Sequence, residues 1–229
     1  MNIYTWIFTG CIIVSLLLYI IALAKNIGPM EKTVRALFVP FLAGIIISLL
    51  AGFLPDSHHI IFIVSLAFSS AVLFMLSTLN KNKFFKFIEH SFFIITQVVW
   101  FILISSVYRI FKIPDIFFIL SGIVFIAGFV VICVFIKKQN LSKYVTSIIQ
   151  YAVTAVLCTT ALINLVYEKW ICGILIFLGA LVTLCHVIFE IFQRTRPFAI
   201  GEKTEKVIVT ILFVLAQALM GAGAILLQV

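Results

Sequence analysis

Charge is scarce in this chain. Of its 229 residues only 10% are charged and 64% are apolar, where an ordinary globular domain has about 25% charged and about 45–50% apolar residues. That balance excludes a water-soluble domain, a disordered chain and a nucleic-acid binder. No polar stretch is long enough to fold in water, so residues 1–229 are expected to form one integral membrane domain. Acidic residues are fewer still, eight against sixteen basic ones. The basic residues sit in short gaps between apolar runs, where they face anionic lipid. The five cysteines (Cys11, Cys133, Cys158, Cys172, Cys185) all fall inside apolar runs, with no C-x-x-C and no Cys/His ligand spacing, and are expected to act as small packing residues. There is no G-x-G-x-x-G after a strand, no phosphate loop, no G-x-S-x-G and no H-E-x-x-H, so no cofactor is expected.

What is present is a series of long apolar runs. A spanning helix needs about 20 mostly apolar residues. Eight runs qualify: Tyr4–Ala24, Ala36–Leu54, Ile60–Leu79, Phe87–Val107, Ile116–Ile136, Leu141–Val166, Trp170–Phe192 and Val207–Val229. The expected fold is therefore all-α, a polytopic membrane protein with eight transmembrane helices in one bundle. Glu89 and His90 move the expected edge of the fourth run a few residues later. Pro55, Pro114 and Pro197 lie in gaps, and Pro40 in the first turns of the second run. The first run has no positive n-region and is too long for a signal-peptide core, so it is expected to be a retained span.

The gaps set an orientation. Gaps one, three, five and seven hold Lys25, Lys32, Arg35, Lys81, Lys83, Lys86, Lys137, Lys138, Lys143, Arg194, Arg196, Lys203 and Lys206, whereas the opposite side holds only Arg109, Lys112 and Lys169. The positive-inside bias makes the first set cytoplasmic and both termini extracytoplasmic, in a plasma or inner membrane. His58 and His59 then belong to a short outer loop.

Four runs carry a polar or small stripe at helical spacing. The sixth aligns Thr146, Ser147, Gln150, Thr154, Thr160 and Asn164 within about 140° of arc. The seventh aligns Cys172, Gly179, Thr183, His186, Glu190 and Gln193, and the eighth Thr210, Gln217, Gly221, Ala224 and Gln228. The fourth aligns His90, Phe93, Gln97, Phe101 and Tyr108, with Trp100 at its margin. Two explanations stay open. Small and polar residues seal helix–helix seams, or the stripes line a polar cavity. Six polar groups on one helix favour the cavity.

His186 and Glu190 are four apart on one face, so their side chains can meet. A carboxylate in hydrocarbon costs about 2.5–3.5 kcal/mol on insertion scales unless paired. Arg194 follows one turn later and could neutralise it. The pair is thus either a structural ion pair at the interface or an acid/base pair at a cavity mouth. A metal would need a third ligand from His90 or Glu89, and none is expected. Arg194 and Arg196 could hold a lipid phosphate or serve only as topology charge.

The eight-helix plan resembles the YhhN family of lysoplasmalogenase-like membrane proteins. That family has Phe-Ser-x-x-Gly-Asp in the third span, and Phe68-Ser69 match it with Val72 and Leu73 at the Gly-Asp positions. In the fourth span Phe93 is followed by Gln97 and Trp100, where the family has His and Tyr. Gly179-Ala180 match the seventh-span motif, with Thr183, His186 and Val187 at its Phe, Ser and Asp. Leu215-Ala216-Gln217-Ala218-Leu219 is similar to the final-helix Ala-Gln. Val39-Pro40 stands where the second span has Lys-Pro. The resemblance implies hydrolysis of the vinyl ether of lysoplasmalogens, with a lysophospholipid-type membrane lipid as partner. Both family acids are replaced here, by Leu73 and Val187. Glu190, one turn further on, is the expected catalytic acid, with His186 as its proton partner. Gln97, Trp100, Gln150, Gln217 and Arg194 are the expected substrate-binding residues. The other classes the sequence admits are a small-solute or lipid transporter and a non-catalytic sensor or assembly module.

Overall fold

The computed structural model describes residues 3–53, 58–78, 83–107, 115–137, 145–164, 170–195 and 201–226. Among the described residues all regular structure is α-helical, in eight elements: α1 (Ile3–Ala24), α2 (Gly28–Phe53), α3 (His58–Ser77), α4 (Lys83–Val107), α5 (Asp115–Lys137), α6 (Val145–Asn164), α7 (Trp170–Thr195) and α8 (Glu202–Leu226). Seven of them are long and apolar enough to cross a membrane, while α5 contributes a shorter apolar stretch, Phe125–Val134. The outer surface is apolar as well. On α1, Trp6, Ile7, Ile13, Val14, Leu17 and Ile20 are all more than half exposed. In water that much contiguous apolar surface is unfavourable, and in hydrocarbon it is the expected exterior. An all-helical build follows, because every backbone N–H and C=O must then find its partner within its own segment.

The helices run past the apolar stretches that locate them. α2 starts at Gly28, well before Ala36, α4 at Lys83 and α8 at Glu202. Hydropathy marks the hydrocarbon slab, whereas Lys, Arg and Glu are good helix formers that continue a helix beyond it. Three expectations are corrected. The fourth helix begins earlier than Phe87, not later. His58 and His59 open α3 instead of lying in a loop, though both are exposed. Pro40 lies inside α2, not in its first turns. It leaves the Ala36 carbonyl without its usual donor, which transmembrane helices tolerate when neighbours compensate.

Contacts divide the chain into two compact units, the first running to Trp100 and the second beginning at Phe101. In the first, α1 packs on α2 and α2 on α3. Thr5 and Ser48 share a hydrogen bond of 3.0 Å between α1 and α2. Ser70 and Thr96 share one of 2.9 Å between α3 and α4. The α3–α4 seam is lined by edge-on ring pairs, Phe68 with Trp100 and Phe74 with Phe93. The turn from α1 to α2 is a Schellman cap. Ile27 N–H donates to the Ala22 carbonyl at 2.9 Å and Asn26 N–H to Leu23 at 3.3 Å, with Asn26 left-handed at φ 57°.

In the second unit α5 packs on α6, α6 on α7, and α7 most extensively on α8. The last seam is interlocked by two glycines. A methyl group on Gly179 would lie 2.6 Å from Met220 Cγ and 2.9 Å from the Ala216 carbonyl oxygen, and one on Gly223 2.5 Å from Ile176 Cγ1 and 3.2 Å from the Cys172 carbonyl oxygen. Each helix thus presents a glycine to the other's backbone, as close-packed membrane helices do. The α5–α6 seam is held by the Tyr151 hydroxyl, which donates to the Phe125 carbonyl at 3.2 Å.

Candidate functional site

The second unit collects buried polar side chains on three helices. α6 supplies Ser147, Gln150, Thr154 and Thr160, α7 supplies Thr183, His186 and Gln193, and α8 supplies Thr210 and Gln217. The striped faces read from the sequence therefore do turn inward. Tyr108 and Gln228 fall outside the described residues, as do the side chains of Asn164 and Arg194.

The threonines account for themselves. Thr154, Thr160, Thr183 and Thr210 donate to the carbonyls of Gln150, Val156, Gly179 and Lys206 in their own helices, at 2.7–2.9 Å. Such back-bonding satisfies the hydroxyl without a partner across the seam. What remains are the Ser147 hydroxyl, three amides and one imidazole. Gln150 Oε1 and Gln193 Nε2 are enclosed and make no hydrogen bond among the described residues. An enclosed polar atom left so costs about 1–3 kcal/mol, more in hydrocarbon, where water cannot compensate.

His186 is fully buried and its ring turns toward α8. Its Nδ1 lies 3.2 Å from the Val209 carbonyl oxygen, and the ring sits 5.8 Å from that of Phe213. A carbonyl can only accept, so Nδ1 carries a proton and donates it to Val209. Glu190, one turn on along α7, is half-buried. Gln217 follows Phe213 by one turn on α8 and is fully buried. The arrangement offers an imidazole whose Nδ1–H is held by a backbone carbonyl, a carboxyl group on the same helix face, and amides able to hold a polar ligand group.

Gln97 and Trp100 belong to the first unit. Trp100 packs on Phe68 with ring centroids 6.0 Å apart, while both Gln97 amide atoms are enclosed without a hydrogen bond among the described residues. Of the cysteines, Cys158 and Cys172 are buried, Cys11 and Cys133 half-buried and Cys185 exposed. Cys185 therefore does not pack inside. Among the described residues no three His, Cys, Asp or Glu side chains gather as a metal set.

One residue escapes the sequence reading, and a second, Gln193, aligns with the seventh stripe but is not among the expected binding residues. Gln193 shares the His186 face one heptad later, a spacing that already marked it as interior. Arg35, read as loop charge, lies in α2 and is 7% exposed. Its signal was the run Val34, Ala36, Phe38 and Val39, which continues the apolar helix on both sides of it.

Compared with known protein families, curated proteins and solved structures, the chain matches none.

Proposed function

We propose that the chain is an eight-span membrane protein that binds a single-chain phospholipid in its second unit and hydrolyses a vinyl ether there, as its resemblance to the YhhN family implies. The observation that carries the binding reading is the buried set Gln150, His186, Gln193 and Gln217, two of whose amides have atoms with no hydrogen bond among the described residues. A polar ligand group would offset that cost, and an acyl or alkenyl chain suits the apolar surroundings. In the hydrolytic step a carboxylic acid gives its proton to the outer alkenyl carbon. Water then adds to the resulting oxocarbenium carbon, returning a proton to the carboxylate, and the hemiacetal breaks into an aldehyde and a glycerophospho-alcohol. Glu190 is the acid in this proposal and His186 its proton partner. Leu73, at the other position where the resemblance expects an acid, is 43% exposed, so the third helix offers no substitute there.

Turnover of a lysoplasmalogen by the purified chain in detergent tests this, comparing the parent with Glu190→Gln. The expected result is a loss of about 10²-fold or more. Equal turnover would remove Glu190 from the mechanism, and no turnover by either protein would leave a lipid binder without hydrolysis. The interlocked Gly179 and Gly223 favour a second reading, a non-catalytic assembly module built on tight helix seams. Absence of any co-purifying or competing lipid would decide for it. The positive-inside bias supports cytoplasmic basic gaps and extracytoplasmic termini.

A further inference from the structure

Arg35 is a guanidinium enclosed at the lysine-rich end of the first three helices. It rises from the second turn of α2, near the end of α1 and beside the end of α3. Among the described residues one of its five N–H donors is used: Nη2 donates to the Thr78 hydroxyl at 3.4 Å. That hydroxyl in turn donates to the Met75 carbonyl at 2.7 Å, so Thr78 aims the guanidinium and has no proton left for a ligand. Nε is enclosed without a hydrogen bond among the described residues, as is the Tyr19 hydroxyl. Tyr19 is 5% exposed, and its ring is set edge-on against Phe38 at 5.5 Å. Arg35 and Glu31 both act electrostatically on the Tyr19 hydroxyl, so the three groups converge. Among the described residues no carboxylate lies within ion-pair distance of Arg35.

A buried cation without a counter-ion is strongly unfavourable. Of the described acids up to Trp100, Glu31 precedes Arg35 by one turn on α2 and Glu89 lies on α4. We propose that Arg35, oriented by Thr78 and assisted by the Tyr19 hydroxyl, binds a phosphate oxyanion, carried by a lipid headgroup or free. The planar guanidinium matches phosphate oxygens bidentately, the Tyr19 O–H supplies a further donor, and an anion enters by the guanidinium's open edge. Glu31 opposes the bound anion and keeps its affinity moderate. This site stands apart from the lipid proposed for the second unit and does not depend on it.

The test is the thermal midpoint of the full chain in a maltoside detergent free of phosphate, titrated with inorganic phosphate in one arm and with short-chain phosphatidylglycerol in the other. A glycolipid of equal chain length is the control. The expected result is a saturable rise with a phosphate-bearing ligand and none with the glycolipid. A rise in both arms assigns free phosphate as a ligand, and a rise with the lipid alone assigns the headgroup. Arg35→Gln should weaken the apparent affinity about tenfold or more, and Glu31→Gln should strengthen it. Thr78→Val, which keeps the cation but loosens its aim, covers the case in which Arg35→Gln fails to fold, and should weaken affinity several-fold. A parent midpoint that moves in neither arm, or moves equally with the glycolipid, would overturn the proposal. So would unchanged affinity in Thr78→Val, or a Glu31→Gln protein that is destabilised and no longer responds, since Glu31 would then be the counter-ion.

Discussion

Single atoms decide several features of this protein. Asn26 closes α1 in the left-handed region, where the Schellman bonds of Ile27 and Asn26 require it. Asn26→Gly should be neutral or slightly stabilising, whereas Asn26→Val should cost about 1–2 kcal/mol, because a β-branched residue clashes in that region. Thermal unfolding of the detergent-solubilised variants checks the sign. Gly179 is fixed by space rather than by backbone angle. Gly179→Val should cost about 1–3 kcal/mol through overpacking against Met220 and Ala216. Gly10→Ala, which meets nothing within 4 Å, should stay within about 0.5–1 kcal/mol of the parent on the favourable side. His186 was legible in the sequence as an interior residue, because four-residue spacing to Glu190 and the surrounding apolar run were enough. Its bond to the Val209 carbonyl was not, since which neighbour receives a ring nitrogen depends on how α8 is rotated.

At the scale of helices, the sequence located all eight elements but misjudged their ends. Apolar runs report where hydrocarbon is met. They do not report where helical hydrogen bonding stops, and Lys32, Arg35, Lys86 and Lys206 continue helices that hydropathy truncates. The same error hid Arg35, because a residue assigned to a gap is not examined for burial. Among the described residues the hydroxyl bond between α3 and α4 is weakly committed. Ser70 and Thr96 bond each other, but each has one proton and an alternative acceptor in its own helix, Ala67 for Ser70 and Phe92 for Thr96, so only one of those back-bonds coexists with the cross-helix bond. A double-mutant cycle with Ser70→Ala and Thr96→Val should give a coupling of only about 0.6 kcal/mol, typical of polar pairs between membrane helices. A coupling several times larger would show that the back-bonds do not compensate. Amides have no such fallback. Gln97→Leu, which replaces an enclosed amide making no hydrogen bond among the described residues, should therefore raise the unfolding midpoint, unless a ligand holds that group in the membrane.

For the molecule as a whole, parity is the open consequence of α5. Among the described residues seven helices reach spanning length and apolarity, and α5 adds Phe125–Val134. If α5 crosses, both termini share a side, which the proposed positive-inside orientation takes to be extracytoplasmic. Reporters fused to the two ends should then both read extracytoplasmic, and a split result would make α5 a segment that does not cross. Overall architecture was legible because the bilayer leaves a chain few choices, whereas the chemistry of the interior was legible only as residue types on a face. The first helix carries a further consequence. Only 17% of its apolar window is covered by protein, so most of its side chains are judged by solubility in oil and not by fit. Leu, Ile, Val and Phe should interchange freely at Ile7, Val14 and Leu17 over evolutionary time, while Thr5 and Ser15 stay put. A lone Asp at Val14 should instead fail at the translocon, before any question of folding arises.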